Sequence, residues 1–385
     1  MSAGARVLVA PDKFKGSLDA TSVAEALARG ILGAVPDAQV VRRPVADGGD
    51  GTLEVLEHVG FVPVPVTVDG PTGNTVTSCY ARRADTAVVE LARLAGLQAL
   101  PGGDLAPLDA STFGLGQAIA HAVDAGCRTV LVAVGGSAST DGGAGLLQAL
   151  GAKLTNVHGC PITPGAAGLA GLHQANLDPA RTTLSGVKLE VLCDVDNPLL
   201  GPRGAARVFG PQKGLNTDQT NDVDDGLANL ADLLDANHGL RNVPGAGAAG
   251  GAAFALLTLG ARLRSGAGVI LDVIGLQAAI DDADLVVVGE GSLDEQTLGG
   301  KAPAAVTALA RSSGVPVVAA TGRSTLTQEQ LTSAGIATVH QLFELEPDLE
   351  KSHQLAAKLL EQLGHKIARE HLSPGSAPHL ATRVR

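Results

Sequence analysis

The chain has 385 residues, 45% of them hydrophobic and 17% charged, with 28 Lys and Arg against 39 Asp and Glu for a formal net charge of −11. A chain of this size buries a large core, and its length favours two domains over one. With no Trp, one Tyr and six Phe it offers no stacking platform for nucleic-acid bases, and its acidity repels a phosphate backbone, so no nucleic-acid partner is expected.

Small anionic ligands face the same repulsion, so an acidic protein that uses them must gather Lys, Arg, metal ions and helix N-termini locally. The cysteines Cys79, Cys127, Cys160 and Cys193 lie far apart with no C-x-x-C pair, which suits free thiols in a reducing cytoplasm. Apolar runs are short and glycine-broken, and no apolar signal core follows a basic start. A cytoplasmic protein without a membrane partner is therefore expected, as monomer or homodimer.

The first strand-like run is Val7 to Ala10, followed by Pro11-Asp12-Lys13-Phe14-Lys15-Gly16-Ser17 and then by Val23, Leu27 and Ile31 at helical spacing. An acid and two lysines thus stand at a strand's carboxyl end beside a helix start, where open α/β sheets bind ligands. A plain turn capped by Ser17 or Asp19 is the alternative. A second strand, Val40 to Pro44, leads into Asp47-Gly48-Gly49-Asp50-Gly51, two carboxylates among glycines that permit close approach to a metal or a polyol. Alternation from Val62 to Asn74, continuing through Thr75 to Arg82 and Thr86 to Glu90, reads as hairpin strands, and the prolines place them at an edge.

A helix from about Thr112 to Ala125 precedes the strand Thr129 to Val134 and the loop Gly135-Gly136-Ser137-Ala138-Ser139-Thr140-Asp141-Gly142-Gly143, then the helix Leu146 to Leu150. Small residues with amides and hydroxyls before a helix form an anion cradle, with Asp141 able to hold a cation. The strand Lys188 to Cys193 runs into Asp194-Val195-Asp196-Asn197, oxygen donors suited to Mg²⁺, with Arg203 and Lys213 further on as partners for carboxylate or phosphate. A literal G-x-G-x-x-G occurs at Gly245 to Gly250, but no strand precedes it, so a dinucleotide fingerprint is not expected. No Walker A spacing is present either.

The strand Leu285 to Val288 then opens Gly289-Glu290-Gly291-Ser292-Leu293-Asp294, continuing to Gly299-Gly300-Lys301 and the helix Ala304 to Arg311. Acids, hydroxyls and a lysine together are what phosphoryl transfer requires. Strands Val315 to Ala320 and Ile336 to Leu342 complete a set alternating with helices. The expected fold class is α/β with two domains: a flavodoxin-like parallel-sheet domain of 1–62 and 282–385, interrupted by an inserted mixed α/β domain of 63–281. The active site is expected in the cleft between them. The tail after about 371 reads as disordered.

In this order, over roughly Arg6 to Thr321, these segments together with Pro244 to Gly251 resemble the type-1 family of bacterial glycerate kinases. The resemblance implies the same flavodoxin-like and inserted domains, and phosphorylation of D-glycerate by ATP with Mg²⁺, leaning toward 2-phosphoglycerate. Asp194, Asp294 and Lys13 are then the expected catalytic residues, with Asp194 and Asp294 competing as the base. Asp12, Lys15, Ser17, Asp47, Asp50 and Arg203 are expected at the substrate; Gly135, Gly136, Ser137, Ser139, Thr140, Gly291, Ser292 and Lys301 at the nucleotide; and Asp141 and Asp196 at the metal. Ser139-Thr140 stands where many members carry Thr-Asn, so those two contacts transfer least directly. The competing readings are an NAD-dependent hydroxyacid dehydrogenase, on the glycine pattern, and a non-catalytic sugar-acid binding protein.

Overall fold

The computed structural model describes residues 4–298 and 301–372, so the expectation for the tail falls largely outside the described residues. Two compact units emerge, one of 4–47, 54–59 and 267–372, the other of 48–53 and 60–266. The return to the first unit thus comes at 267, ahead of the expected 282.

In the first unit, apolar runs form a five-stranded sheet ordered Ile336–Gln341, Val317–Ser324, Leu285–Leu293, Arg6–Pro11, Gln39–Arg42, every pair parallel. Numbered along the unit, that order is 2-1-3-4-5, the flavodoxin-like arrangement. Asp19 begins the helix Ala20–Ala34 by accepting from Ser22 N at 2.7 Å. This helix packs on the Ala356–His371 helix, where Gly30 faces the Glu361 carbonyl and Gly364 the Leu27 carbonyl so closely that a Cβ at either position would collide with backbone. Val23, Leu27, Ile31, Leu360 and Ile367 fill the layer between helices and sheet. One boundary differs from expectation: the strand after Asp284 runs on to Leu293, because it pairs with Val317–Ser324 through Ser292↔Arg323. Glu290, Gly291 and Ser292 are therefore strand residues and not loop.

The second unit holds a six-stranded sheet ordered Arg262–Arg264, Lys188–Leu192, Thr129–Ala133, Thr86–Glu90, Thr75–Arg83, Val62–Asp69. Pairings are parallel as far as Thr86–Glu90 and antiparallel beyond it, and the edge strand contains Pro63 and Pro65, which cannot donate to a ladder. Helix Phe113–Asp124 lies on this sheet and adds Leu115 and Ile119 to a core with Tyr80, Leu91, Leu94, Leu146, Leu147 and Phe254, all fully buried. Each such side chain contributes roughly 1.5–3 kcal/mol through apolar burial. No described helix is long and apolar enough to cross a membrane.

Candidate active site

Parallel order brings the carboxyl ends of the first unit's central strands together. Asp12 N donates to the Gly289 carbonyl at 2.8 Å, and Val45 N to the Pro11 carbonyl at 2.9 Å. Asp12, Asp47 and Glu290, far apart in sequence, consequently share one electrostatic environment. Burial, reinforced by the Asp47 charge and by Glu290, pushes the Asp12 carboxyl up to about 7. Burial likewise raises Glu290 to about 7, with Asp294 and Asp47 adding to the rise and the Thr297 hydroxyl and Lys301 opposing it. Glu290 is 7% exposed, and its Oε1 has no hydrogen-bond partner.

Around this cluster the lysines divide. Lys13 donates its backbone N–H to Asp12 Oδ1 at 2.6 Å, and its charge also favours the Asp12 carboxylate. Lys301 is half-buried at the start of the Ala302–Ser312 helix, and Lys15 is exposed. Ser17 Oγ instead donates to the His353 carbonyl at 3.1 Å, an internal contact. Asp294 caps the short Glu295–Leu298 helix, its N–H donating to Thr297 Oγ1 and its Oδ1 accepting from Thr297 N, both at 3.2 Å. Gly291 lies on the strand against Gly322, with Ser292 beside it.

Within the second unit, Asp50 sits in a loop anchored on Glu90. That fully buried carboxylate accepts from Gly51 N at 3.0 Å and Leu53 N at 3.3 Å, while Arg93 approaches within 3.5 Å. Asp47 and Asp50, read together from the sequence, belong to different units. The Gly135 to Thr140 loop turns largely inward: Gly135 is half-buried and Gly136 exposed, whereas Ser137, Ser139 and Thr140 are buried. Lys213, 2% exposed, reaches this loop and donates to the Ser139 carbonyl at 2.5 Å and to Ser137 Oγ at 3.4 Å. Its burial pulls the ammonium down to about 7, against the pull of Asp141. Thr140 Oγ1 is buried with no hydrogen-bond partner.

Asp141 is fully buried, and every neighbour of its carboxylate is a donor. Thr112 N and Thr112 Oγ1 reach Oδ2 at 2.8 Å each and Gly145 N at 3.2 Å, while Gly143 N reaches Oδ1 at 3.0 Å. Donors converge on Oδ2 and one meets Oδ1, which ties the carboxylate to the Thr112 and Gly143–Gly145 segments. Asp196 is paired with Arg203 through contacts of 2.8 Å to both oxygens, and the guanidinium holds its carboxyl below the usual range. Asp194 Oδ1 accepts from Ser265 Oγ and Gly266 N, both at 2.9 Å, which fixes the carboxylate at the end of the Lys188–Leu192 strand. At the G-x-G-x-x-G segment, Gly245 N and Gly247 N donate to the Asn197 carbonyl at 3.2 and 2.9 Å, so these amides tie two loops together.

The glycerate kinase family profile matches residues 7–372. A glycerate kinase of Bacillus subtilis strain 168 is 39% identical over 94% of this chain and 97% of its own length. A glycerate 2-kinase of Escherichia coli K12 is 38% identical over 83% of this chain and 86% of its own. The chain belongs to the glycerate kinase family. A solved structure described as glycerate kinase 2 from Salmonella typhimurium LT2 superposes with a TM-score of 0.83 at 36% identity, covering 95% of this chain and 98% of that one. The family is one of phosphotransferases, and its fold agrees with the flavodoxin-like and mixed α/β units found here.

Two residues outside the sequence-based site set belong to these clusters, Glu290 and Glu90, while Lys213, expected at a carboxylate or phosphate, is buried against Ser137 and Ser139 instead. Glu290 and Glu90 share a legible signal, an acid closing an apolar strand run, after Val286-Val287-Val288-Gly289 and Ala87-Val88-Val89. At the carboxyl end of a parallel strand, such an acid stands where ligands bind. The sequence marks Lys213 as an anion partner, but only tertiary packing places its amine against Ser137 and Ser139.

Proposed function

We propose that this protein transfers the γ-phosphoryl group of ATP to the 2-hydroxyl of D-glycerate, giving 2-phosphoglycerate and ADP. Family membership across residues 7–372 carries this reading, and the E. coli relative's name, glycerate 2-kinase, supports the choice of hydroxyl. In the transfer, the hydroxyl oxygen bonds to the γ-phosphorus, the bond from that phosphorus to the β,γ-bridging oxygen breaks, and the hydroxyl proton passes to a carboxylate. Asp194 is the proposed acceptor. Its orientation is set by Ser265 and Gly266, whereas the Asp294 carboxylate is engaged in capping.

Mg²⁺ fits Asp12, Asp47 and Glu290 better than Asp141 or Asp196. These are hard oxygen donors, their mutual repulsion is relieved by a cation, and Glu290 Oε1 lacks a partner. A Mg²⁺ ion held by these carboxylates would supply neutralisation of charge on phosphate oxygens. Lys13 and Lys301 add positive charge to the same cluster, and Lys15 is proposed to meet an anionic group of substrate or nucleotide. Gly135 and Gly136 remain the proposed phosphate contacts of the Gly135 to Thr140 loop, whose Ser139 carbonyl and Ser137 hydroxyl hold Lys213 in place.

The test is ADP release dependent on D-glycerate and Mg²⁺, followed by phosphorus NMR of the product. A single 2-phosphoglycerate resonance is expected. Formation of 3-phosphoglycerate would overturn the regiochemistry, and no ADP release with D-glycerate would overturn the substrate.

A further inference from the structure

A different set of ligating groups lies at the far edge of the first unit's sheet. His340 is on the edge strand Ile336–Gln341, in register with Ala320, and Ala320 with Gly289. It is therefore two strands, roughly 10 Å, from the strand that carries Glu290. Glu370 and His371 end the Ala356–His371 helix. His340 is 2% exposed; its Nε2 has no hydrogen-bond partner and stands 3.6 Å from Glu370 Oε2. His371 Nε2 is also buried without a hydrogen-bond partner, and the two imidazoles meet edge to face at 6.1 Å. One ligating atom from each of the three residues lies within 4.8 Å of the others.

A buried nitrogen without a partner forfeits the hydration it loses on folding. Two of them beside a carboxylate define a place for a shared positive centre. Burial lowers both imidazole pKa values, so the neutral, lone-pair form that binds metal prevails. Two imidazole nitrogens and one carboxylate oxygen are a zinc donor set, completed to tetrahedral by water. Ligands at 2.0–2.1 Å from zinc stand about 3.4 Å apart. The His340 to Glu370 separation of 3.6 Å already approaches this, and side-chain rotation closes the rest.

We propose that His340, Glu370 and His371 bind one divalent transition-metal ion of the zinc class, tying the final helix to the edge strand. The flanking Lys366 is drawn toward Glu344 at 3.8 Å, so that pair balances its own charge beside the site. Helix Ala356–His371 closes the layer over Ala20–Ala34, so a tether at its last turn restrains an end that otherwise frays.

The experiment titrates ZnCl₂ into chelator-stripped full-length protein against a chromophoric chelator, with Mg²⁺ in excess throughout, and records the melting temperature with and without zinc. One tight equivalent and a zinc-dependent rise in melting temperature are expected. Glu370→Gln and His371→Gln alter partly exposed side chains and leave the core intact, which far-UV circular dichroism checks; each weakens zinc binding at least tenfold and abolishes the thermal shift. Absence of a tight equivalent overturns the proposal. So does undiminished binding in both variants, which places the ion at Cys160 or at the Asp12 cluster instead.

Discussion

Asp141→Asn separates the structural reading of that carboxylate from a metal-ligand reading. An asparagine that points its oxygen at the Oδ2 position keeps bonds from Thr112 N, Thr112 Oγ1 and Gly145 N, but turns its NH₂ toward Gly143 N–H. One charge-assisted bond is lost with its donor left buried, at about 1.5–3 kcal/mol, and three others become neutral, at about 0.5–1 kcal/mol each. The expected destabilisation is about 3–6 kcal/mol. With a urea dependence of about 3 kcal/mol per molar, the midpoint falls by about 1–2 M. The chain's sole Tyr, Tyr80, is buried in the second unit and there is no Trp, so tyrosine fluorescence reports on that unit's unfolding alone. The assay is urea unfolding of chelator-treated wild type and variant. A midpoint unchanged within about 0.3 M would refute the reasoning, because a metal ligand loses nothing in metal-free buffer.

Glu290→Gln is expected to lower kcat/KM on the order of 10²-fold and to raise the Mg²⁺ concentration for half-maximal activity at least tenfold; an unaltered Mg²⁺ dependence counts against the carboxylate cluster as the metal site. The folded-state pKa values of Asp12 and Glu290, about 7 against the ordinary 3.8 and 4.5, mean that the folded state holds more protons than the unfolded state between about 4 and 7. Their contribution to stability is therefore present at acid pH and lost as pH rises through 7. Calorimetry in chelator should show a smaller stability loss between pH 5 and pH 8 for an Asp12→Asn, Glu290→Gln double variant than for wild type. Lys213 has the opposite linkage: its pKa falls from 10.5 to about 7, so the unfolded state holds more protons between those values and stability rises with pH there. Lys213→Met should flatten the Tyr80-detected rise between pH 7 and pH 9. At Gly250, φ is +65° and a Cβ would meet the Ser139 carbonyl, the acceptor for Lys213. Gly250→Ala should cost about 2–4 kcal/mol in the same urea assay, and a wild-type midpoint would contradict the packing described.

Much of the fold was legible because parallel strands are nearly continuous apolar runs between helical patterns. Val7 to Ala10 and Leu285 to Val288 announce themselves without any partner. The continuation of the latter strand to Leu293 was not legible, since Gly289, Glu290, Gly291 and Ser292 read locally as a loop. Only the ladder with Val317–Ser324 holds them extended. Asp141 and Asp194 were equally visible as acids after strands. The difference between them lies in which donors approach, and Thr112, Ser265 and Gly266 come from distant segments.

By itself the sequence determined the family, the alternation of strands and helices, and the loops where chemistry concentrates. Spacing and residue type along the chain suffice for each of these. Tertiary structure alone decided what surrounds each acid and imidazole: Asp12, Asp47 and Glu290 meet through strand order, Asp141 is met by N–H and O–H donors, and His340 faces Glu370 and His371 across a strand and a helix. The reason is that hydrogen-bond satisfaction and desolvation depend on neighbours brought together by packing, and local periodicity carries no record of them.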